Sequence, residues 1–488
     1  MLNVVTPDEA LNMLAREFGA LRTPPEPCPL DSARGRVLAE DVLAREFVPG
    51  FDRSAVDGYA VLASDTFGCG EATPALLRLA GAVEMGQAPG FALCPGECAA
   101  IPTGGRLPEG ADAVVMLEYA EDYGGGLIGL VKSVAPGTGV VFKGDDVRPG
   151  AAVFSEGRRL RGMDIGALAA LGVTAPSVRS KPKAAVLSTG DELVSPSTSP
   201  GPGEVRDVNG PMLCALLKKM GAEPDFLGIV VDTEEALESA LTRASTNSDL
   251  IVLSGGSSAG ARDAVSRVIE RRGRLLFHGL AMRPGKPAML GEMGGKPIFG
   301  LPGHPAAAYF TARLLVMAHV RSLLGVTEPS RTVSARLAAD LAANDGRELF
   351  CGVRLFYDGG ELWAEPVRTK SGLISALAAS DGILRVPRDC EGLHRGAQVT
   401  IELEGGDGWL LNISPTRLWT RPARRTCAGC VKTGSAPSRR RCASRTRRAG
   451  SASAQSTPGS APRTTTPVQW MAWHLTPPRA SALRRRRR

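Results

Sequence analysis

Several features are scarce in this chain, and each scarcity closes a route. Ten cysteines are scattered through 488 residues, too thinly for a disulfide scaffold, so a reducing compartment with buried or incidental thiols is expected. Cys94 and Cys98 stand four apart without a second pair or a nearby histidine. Cys427-Ala-Gly-Cys430 is a single CxxC with Cys442 trailing. Neither spacing makes a zinc site. No run of 18 apolar residues appears, so no membrane span is expected. Met1-Leu-Asn-Val-Val-Thr6 lacks the basic and apolar regions of a signal peptide, and a cytoplasmic location follows. Five histidines, one of them beyond Glu404, do not assemble a nucleophile–histidine–acid triad. There is no Walker-type phosphate loop and no dinucleotide fingerprint at the first strand of the α/β region.

Charge is present but segregated. Of 58 basic and 50 acidic residues, 18 basic and one acidic (Asp407) lie beyond Glu404. Residues 1–404 therefore hold 40 basic and 49 acidic groups, and the acidic body carries a basic tail. That tail, 405–488, is rich in Ser, Thr, Pro and Arg and ends in Arg484-Arg-Arg-Arg-Arg488. No periodic apolar face runs through it, so it is expected to be disordered and dispensable, a genuine extension or the product of a shifted frame. Clustered arginine binds nucleic acid nonspecifically, but this is not the favoured role.

The organising stretch runs from Lys183 to about Leu323. Lys183-Ala-Ala-Val-Leu-Ser188, Asp225 to Val231, Asp249-Leu-Ile-Val-Leu-Ser254 and Lys296-Pro-Ile-Phe-Gly-Leu301 are apolar runs. Helical patterns over Pro211 to Met220, Thr233 to Thr246 and Asp263 to Arg272 separate them, and a long helix follows Pro305. Strands without polar alternation, separated by helices, predict a mostly parallel sheet covered on both faces. Upstream, Thr6-Pro7-Asp8-Glu9 signals a capped helix ending near Gly19. Short runs with frequent turns between Leu77 and Lys132 predict a small all-β unit, and Leu160 to Leu171 a helix. After Thr327 five further short β runs predict a small barrel or open sheet.

Ligands of parallel α/β sheets bind beyond the carboxyl ends of the strands. Three polar, Gly-rich loops fall there: Ser188-Thr-Gly-Asp-Glu192, Ser254-Gly-Gly-Ser-Ser-Ala-Gly260 and Gly300-Leu-Pro-Gly-His-Pro305. Hydroxyls and exposed amides beside glycines make an anion nest. Asp263 suits a Mg²⁺ ligand or, equally, a helix cap. Arg283-Pro-Gly-Lys286 offers two cations on a tight turn. His304 precedes a helix whose first amides can meet an anion, although a lone histidine is more often structural than catalytic. Phe51-Asp-Arg-Ser-Ala-Val-Asp-Gly-Tyr-Ala60 reads either as carboxylates meeting around a metal or as a capped turn. Together these point to a phosphorylated or nucleotide-like ligand handled with Mg²⁺.

As an ordered set the motifs resemble the molybdopterin molybdenumtransferase family. They include the Phe51–Ala60 stretch, Pro108-Glu-Gly-Ala-Asp-Ala-Val-Val-Met116, Ser188-Thr-Gly-Asp-Glu-Leu193 and Asp207-Val-Asn-Gly210. Ser254 to Asp263, Met282-Arg-Pro-Gly-Lys-Pro287, Phe299-Gly-Leu-Pro-Gly-His-Pro305 and Gly346-Arg347 with Phe350 complete the set. The resemblance covers residues 1 to about 404. It implies a multidomain α/β and β chain. An elongated domain would be drawn from 1–50 and 139–180, with an inserted β domain at 51–138. A three-layer α/β molybdopterin-binding domain would span 181–327, and a barrel-like domain 328–404.

The resemblance further implies insertion of molybdate into adenylylated molybdopterin, with Mg²⁺-dependent hydrolysis and release of AMP. A homodimer would complete the site, and partners would include molybdopterin adenylyltransferase and molybdoenzyme maturation proteins. Asp57, Asp146, Glu192, Asp232 and Asp263 match the family's functional acidic positions, with Glu192 and Asp263 implied as metal ligands. Ser188, Thr189, Gly190, Asp207, Ser254, Gly255, Gly256, Ser257 and Gly260 fall in the implied substrate site. Arg283, Lys286, Pro302, Gly303 and His304 complete its anion-binding side. The chain departs from the family pattern at His304, Ala306, Ala307, Ser257 and Ala259. Those departures keep a second reading open: a weakly catalytic molybdopterin-binding or scaffolding relative.

Overall fold

A computed structural model describes residues 4–255, 259–343, 346–367 and 374–404, without the side chains of residues 259–263. The expectations for the basic tail and for Gly256 and Ser257 lie outside the described residues. Helix α1 (Pro7–Phe18) begins as its sequence predicts: Thr6 Oγ1 accepts from Glu9 N, and the Glu9 carboxylate accepts from Thr6 N at 2.7 Å. The proline-rich segment after it is extended. Pro25–Pro27 pairs antiparallel with Ser177–Arg179, and Val42–Leu43 with Ala152–Phe154.

The inserted unit is a six-stranded sheet of β1 (Gly58–Val61), β2 (Ala75–Ala82), β3 (Glu97–Ile101), β4 (Ala113–Met116), β5 (Ala120–Asp122) and β6 (Leu127–Leu130). Its order is β4-β1-β3-β2-β6-β5. Small apolar clusters form on its two faces, one around Val61, Cys98 and Val115 and the other around Ala60, Ala99 and Val114. The chain then returns to pack α2 (Gly162–Ala170) against Leu38, Leu160 and Val178. Asp164, buried in the first turn of α2, receives hydrogen bonds from Arg158 and Arg161.

The central domain is built on β7 (Lys183–Thr189), α3 (Asn209–Met220), β8 (Glu223–Val230), α4 (Glu234–Asn247), β9 (Leu250–Gly255) and α5 (Ala259–Arg272). An antiparallel pair, β10 (Arg274–His278) and β11 (Met289–Met293), precedes β12 (Lys296–Leu301). Helix α6 (Pro305–Thr311) continues through a π-helical turn, Ala312–Val316, into α7 (Met317–Leu323). The sheet order is β8-β7-β9-β12-β11-β10, parallel over the first four strands. The two antiparallel strands were not foreseen. Alternation along β7 and β9 sends Ala184, Val186, Leu250 and Val252 toward α1, α3, α6 and α7. It sends Ala185, Leu187, Ile251 and Leu253 toward α4 and α5. Three layers result, as side chains of alternate parity on a buried strand require.

Beyond the linker, β13 (Thr332–Leu337), β14 (Glu348–Asp358), β15 (Glu361–Pro366), β16 (Gly382–Val386) and β17 (Gln398–Leu403) close in the order β14-β15-β13-β17-β16-β14. This is a five-stranded barrel, the closed member of the two forms that the short runs allowed. Met282–Arg283 adds to β14 at Glu348 and Leu349, tying the basic turn of the central domain to the barrel. Among the described residues no helix is long and apolar enough to cross a membrane.

Candidate active site

Connectivity decides where a ligand can enter. From β7 the chain crosses through α3 to β8 on one side, then through α4 to β9 on the other. The crossovers diverge between β7 and β9, and such a divergence opens a crevice at the carboxyl ends of the strands. Those ends are Ser188–Thr189 and Ser254–Gly255, paired in parallel register.

Each hydroxyl there is held by a named partner. Ser188 Oγ, buried, donates to Asp207 Oδ2 at 2.7 Å, while Asp207 Oδ1 accepts from Gly210 N at 3.1 Å. Thr189 Oγ1 donates to Asp232 Oδ1. Asn209, the first residue of α3, donates through Nδ2 to Ser254 Oγ at 2.8 Å and to the Gly303 carbonyl at 2.7 Å. One amide thus ties the ends of β9 and β12 together, and its buried Oδ1 has no partner among the described residues. Gly255 explains the closeness of the strands. Its φ is +129°, and a Cβ there would lie 1.8 Å from the Thr189 carbonyl oxygen.

Three carboxylates gather beside this crevice. Asp232 N donates to Asp191 Oδ1 at 3.4 Å. Burial raises the pKa of Asp232, the Thr189 hydrogen bond opposes that shift, and the charges of Asp191 and Glu192 add to it. Glu192 is itself exposed. Among the described residues no three acidic, histidine or cysteine side chains are grouped tightly enough to hold a metal ion. Helix α5 begins at Ala259 rather than at Asp263. Asp263 is therefore inside the helix, and the cap reading is corrected. Gly260 lies in the first turn of the same helix.

Arg283 and Lys286 are exposed on either side of Pro284 and the buried Gly285. An apolar cavity of about 620 Å³ opens beside the turn, with Arg283 at its mouth and Phe310, Leu349, Phe350 and Leu377 on its walls. Guanidinium beside apolar wall suits a ring system carrying an anionic group. Pro302 is buried, Gly303 is bound by Asn209, and His304 is exposed at the N-cap of α6 with no side-chain capping bond.

Two expected residues do not join this cluster within one chain. Asp57 accepts from Thr103 N at 2.7 Å and so fixes the Ile101–Gly105 loop of the inserted domain. Asp146 lies on the turn whose backbone NH donates to the Val48 carbonyl at 3.1 Å. Asp57, Asp146 and Glu192 are exposed. Sequence reasoning passed over Asn209 and Asp191, although both stand inside quoted motifs. The signal available was an Asn two residues after Asp207, at the start of an amphipathic helix.

The architecture and the site now meet known proteins. "MoeA N-terminal region (domain I and II)" matches residues 5–172, "Probable molybdopterin binding domain" residues 185–322, and "MoeA C-terminal region (domain IV)" residues 334–403. A molybdopterin molybdenumtransferase 2 of Mycobacterium tuberculosis is 34% identical over 382 residues, covering 76% of this chain and 93% of the relative. The chain belongs to the molybdopterin molybdenumtransferase family. The Bacillus subtilis molybdopterin molybdenumtransferase is 31% identical over 389 residues, covering 78% of this chain and 90% of that one. A crystal structure of a molybdopterin biosynthesis MoeA protein from Pyrococcus horikoshii superposes with a TM-score of 0.72 at 33% identity, covering 82% of this chain and all of that one. Membership of this family makes the chain a molybdenum-cofactor biosynthesis protein of the transferase type. It places the crevice between β7 and β9 in the domain matched as molybdopterin-binding.

Proposed function

We propose that this chain inserts molybdate into the dithiolene of adenylylated molybdopterin, hydrolysing the adenylyl–phosphate bond and releasing AMP. The observation that carries the reading is the convergence at the switch point: Ser188 on Asp207, Thr189 on Asp232, and Asn209 joining Ser254 to Gly303. Hydroxyls held by carboxylates stay oriented without substrate, so little reorganisation is left for the reaction. Arg283 and Lys286 take the anionic end of the ligand, and the apolar cavity beside Arg283 receives a ring. Asp232 holds a proton more readily than an ordinary carboxylate and is the group suited to exchange one with the leaving phosphate or its attacking water.

Asp191, Glu192 and Asp232 are hard oxygen donors of the type Mg²⁺ takes, and the charges of the first two reach Asp232, but the three do not form a closed ligand group among the described residues. Glu192 and Asp263 would hold the ion, which supplies neutralisation of phosphate charge. Asp57 and Asp146 act from the first and inserted domains of a second copy in a homodimer working in the cytoplasm. Substrate would arrive from a molybdopterin adenylyltransferase, and product would pass to molybdoenzyme maturation proteins.

The test is incubation of the full chain with adenylylated molybdopterin, molybdate and Mg²⁺, following AMP. Release above a no-protein control is expected. Retention of substrate without turnover would instead select the scaffolding reading that the exposed His304 keeps open.

A further inference from the structure

A second charged cavity lies at the other end of α3. The candidate active site meets this helix at Asn209, and the second cavity meets it at Leu216, Lys219 and Met220. Along this helix the two contacts lie about 10–17 Å apart. The cavity measures about 510 Å³ and is formed where three domains meet. Arg34, Arg159 and Arg161 enter from the first domain, Arg313 and Arg321 from the helix after β12, and Arg331 from the linker. With Lys219 that makes seven cations against three carboxylates: Glu328, Glu402 and Glu404.

Internal pairing covers part of this charge, since Arg161 pairs with Asp164 at 3.3 Å, and leaves Arg34, Arg159 and Arg321 without a carboxylate ion pair among the described residues. Arg313 pairs with Glu402 at 2.7 Å and Glu404 at 3.0 Å, and Lys219 also pairs with Glu404 at 3.0 Å. Among the described residues Arg159 donates to neutral carbonyls, those of Gly35 at 2.8 Å and Met220 at 3.0 Å. Arg321 likewise donates to the Glu328 carbonyl. Arg34 has no side-chain partner among the described residues. Burial, and then the like charge of Arg321, pull the pKa of Arg159 down despite the neighbouring Glu328. Both guanidinium groups line one recess, with Glu328 opposing their charge, and an added anion there would be favoured.

Arg313 is one of the wall residues of the same cavity. Arg313 has a side chain only 8% exposed, yet its Nε is buried with no acceptor. It lies in the π-helical turn Ala312–Val316, a local widening that recurs at functional sites.

We propose that this cavity is a binding site for a small polyphosphate anion, distinct from the crevice between β7 and β9. Oxygen-rich groups of several charges match planar guanidinium donors converging from three domains, whereas a monoanion would leave most of them unmatched. The polyphosphate could be inorganic or the tail of a nucleotide, and the experiment separates the two. Thermal melting of the full chain is followed at about 150 mM salt without divalent cations, against inorganic triphosphate, a nucleoside triphosphate and sulfate. A ligand on the basic tail leaves the melting of the body unchanged, whereas one bound to the native cavity raises it. We expect a saturable rise of about 2–4 °C at a hundredfold excess over Kd with at least one polyphosphate. Sulfate at equal concentration should give little.

Arg34→Ala and Arg321→Gln should each raise the half-saturating concentration about tenfold. Their melting without ligand should stay near that of the parent. Arg283→Ala should keep the shift. A response to the nucleotide alone assigns the site to nucleotides, and a response to both assigns it to the phosphate chain. No saturable shift with either ligand overturns the proposal. So does a shift that survives in Arg34→Ala and Arg321→Gln, or one that disappears only in Arg283→Ala.

Discussion

At the scale of the residue, Asp232 concentrates the chemistry. It accepts from Thr189, sits near two other carboxylates, and its pKa is raised, chiefly by burial. If its charged form is the working one, AMP release climbs with pH through a value above the ordinary carboxylate range. Asp232→Asn should remove that limb and lower turnover on the order of a hundredfold, with nucleotide affinity little changed. A pH–rate profile alongside a binding titration checks both parts; an unaltered acid limb would take Asp232 out of the reaction. Arg283→Glu should act the other way. The exposed turn presents its charge to the ligand, so molybdate or nucleotide affinity should fall while the fold is retained. Equilibrium binding with circular dichroism on the same sample reads that split.

At the scale of the element, the closeness of β7 and β9 rests on a position without a side chain. Gly255→Ala places a methyl group against the Thr189 carbonyl in a backbone conformation that disfavours it. The strand ends must then part, so activity should drop sharply and melting by several degrees. Unchanged melting would show that the ends have slack. The apolar runs Lys183–Ser188 and Asp249–Ser254 made the parallel core legible, because strands buried on both faces have little room for polar alternation. The helix cap at Thr6 was legible for an equally local reason: both of its hydrogen bonds lie within four residues. What escaped was non-local. Asn209 matters because it reaches Ser254 and Gly303, which are 45 and 94 residues away, and no local pattern encodes such a bridge. The antiparallel β10–β11 edge went unread as well: its strands are defined by pairing with each other and with β12. The distance of Asp57 and Asp146 from the crevice is likewise a matter of tertiary placement, not of motif spacing.

At the scale of the whole molecule, acid should loosen the chain in two stages. His319 is almost fully buried between Phe18 and Phe299, and burial lowers its pKa from 6.5 to about 4. The folded state disfavours its proton. Its contribution is therefore complete above pH 6.5 and lost as pH falls toward 4, by roughly 3 kcal/mol. Asp164 follows. Burial alone would raise its pKa, but hydrogen bonds from Arg158 and Arg161 outweigh that and hold it at about 2. Its stabilisation of about 2 kcal/mol is present above the ordinary carboxylate pKa and fades as pH falls through about 2. Denaturant titrations across this range should show that His319→Phe flattens the first stage and Asp164→Asn the second. If both variants keep the parent's pH dependence, the acid response originates elsewhere.

The largest apolar cluster gathers residues from nearly the whole length of the body: Val5, Leu14 and Phe18 at one end, Phe350, Leu377 and Ile383 at the other. A ribosome makes the chain in one direction only. The apolar stripe of α1 therefore emerges about 300 residues before the helix it packs against, and still earlier than Leu377 and Ile383. Through most of synthesis that stripe has no native partner. During translation it is the segment most exposed to trigger-type chaperones and to aggregation, and slow translation through the central domain lengthens that exposure.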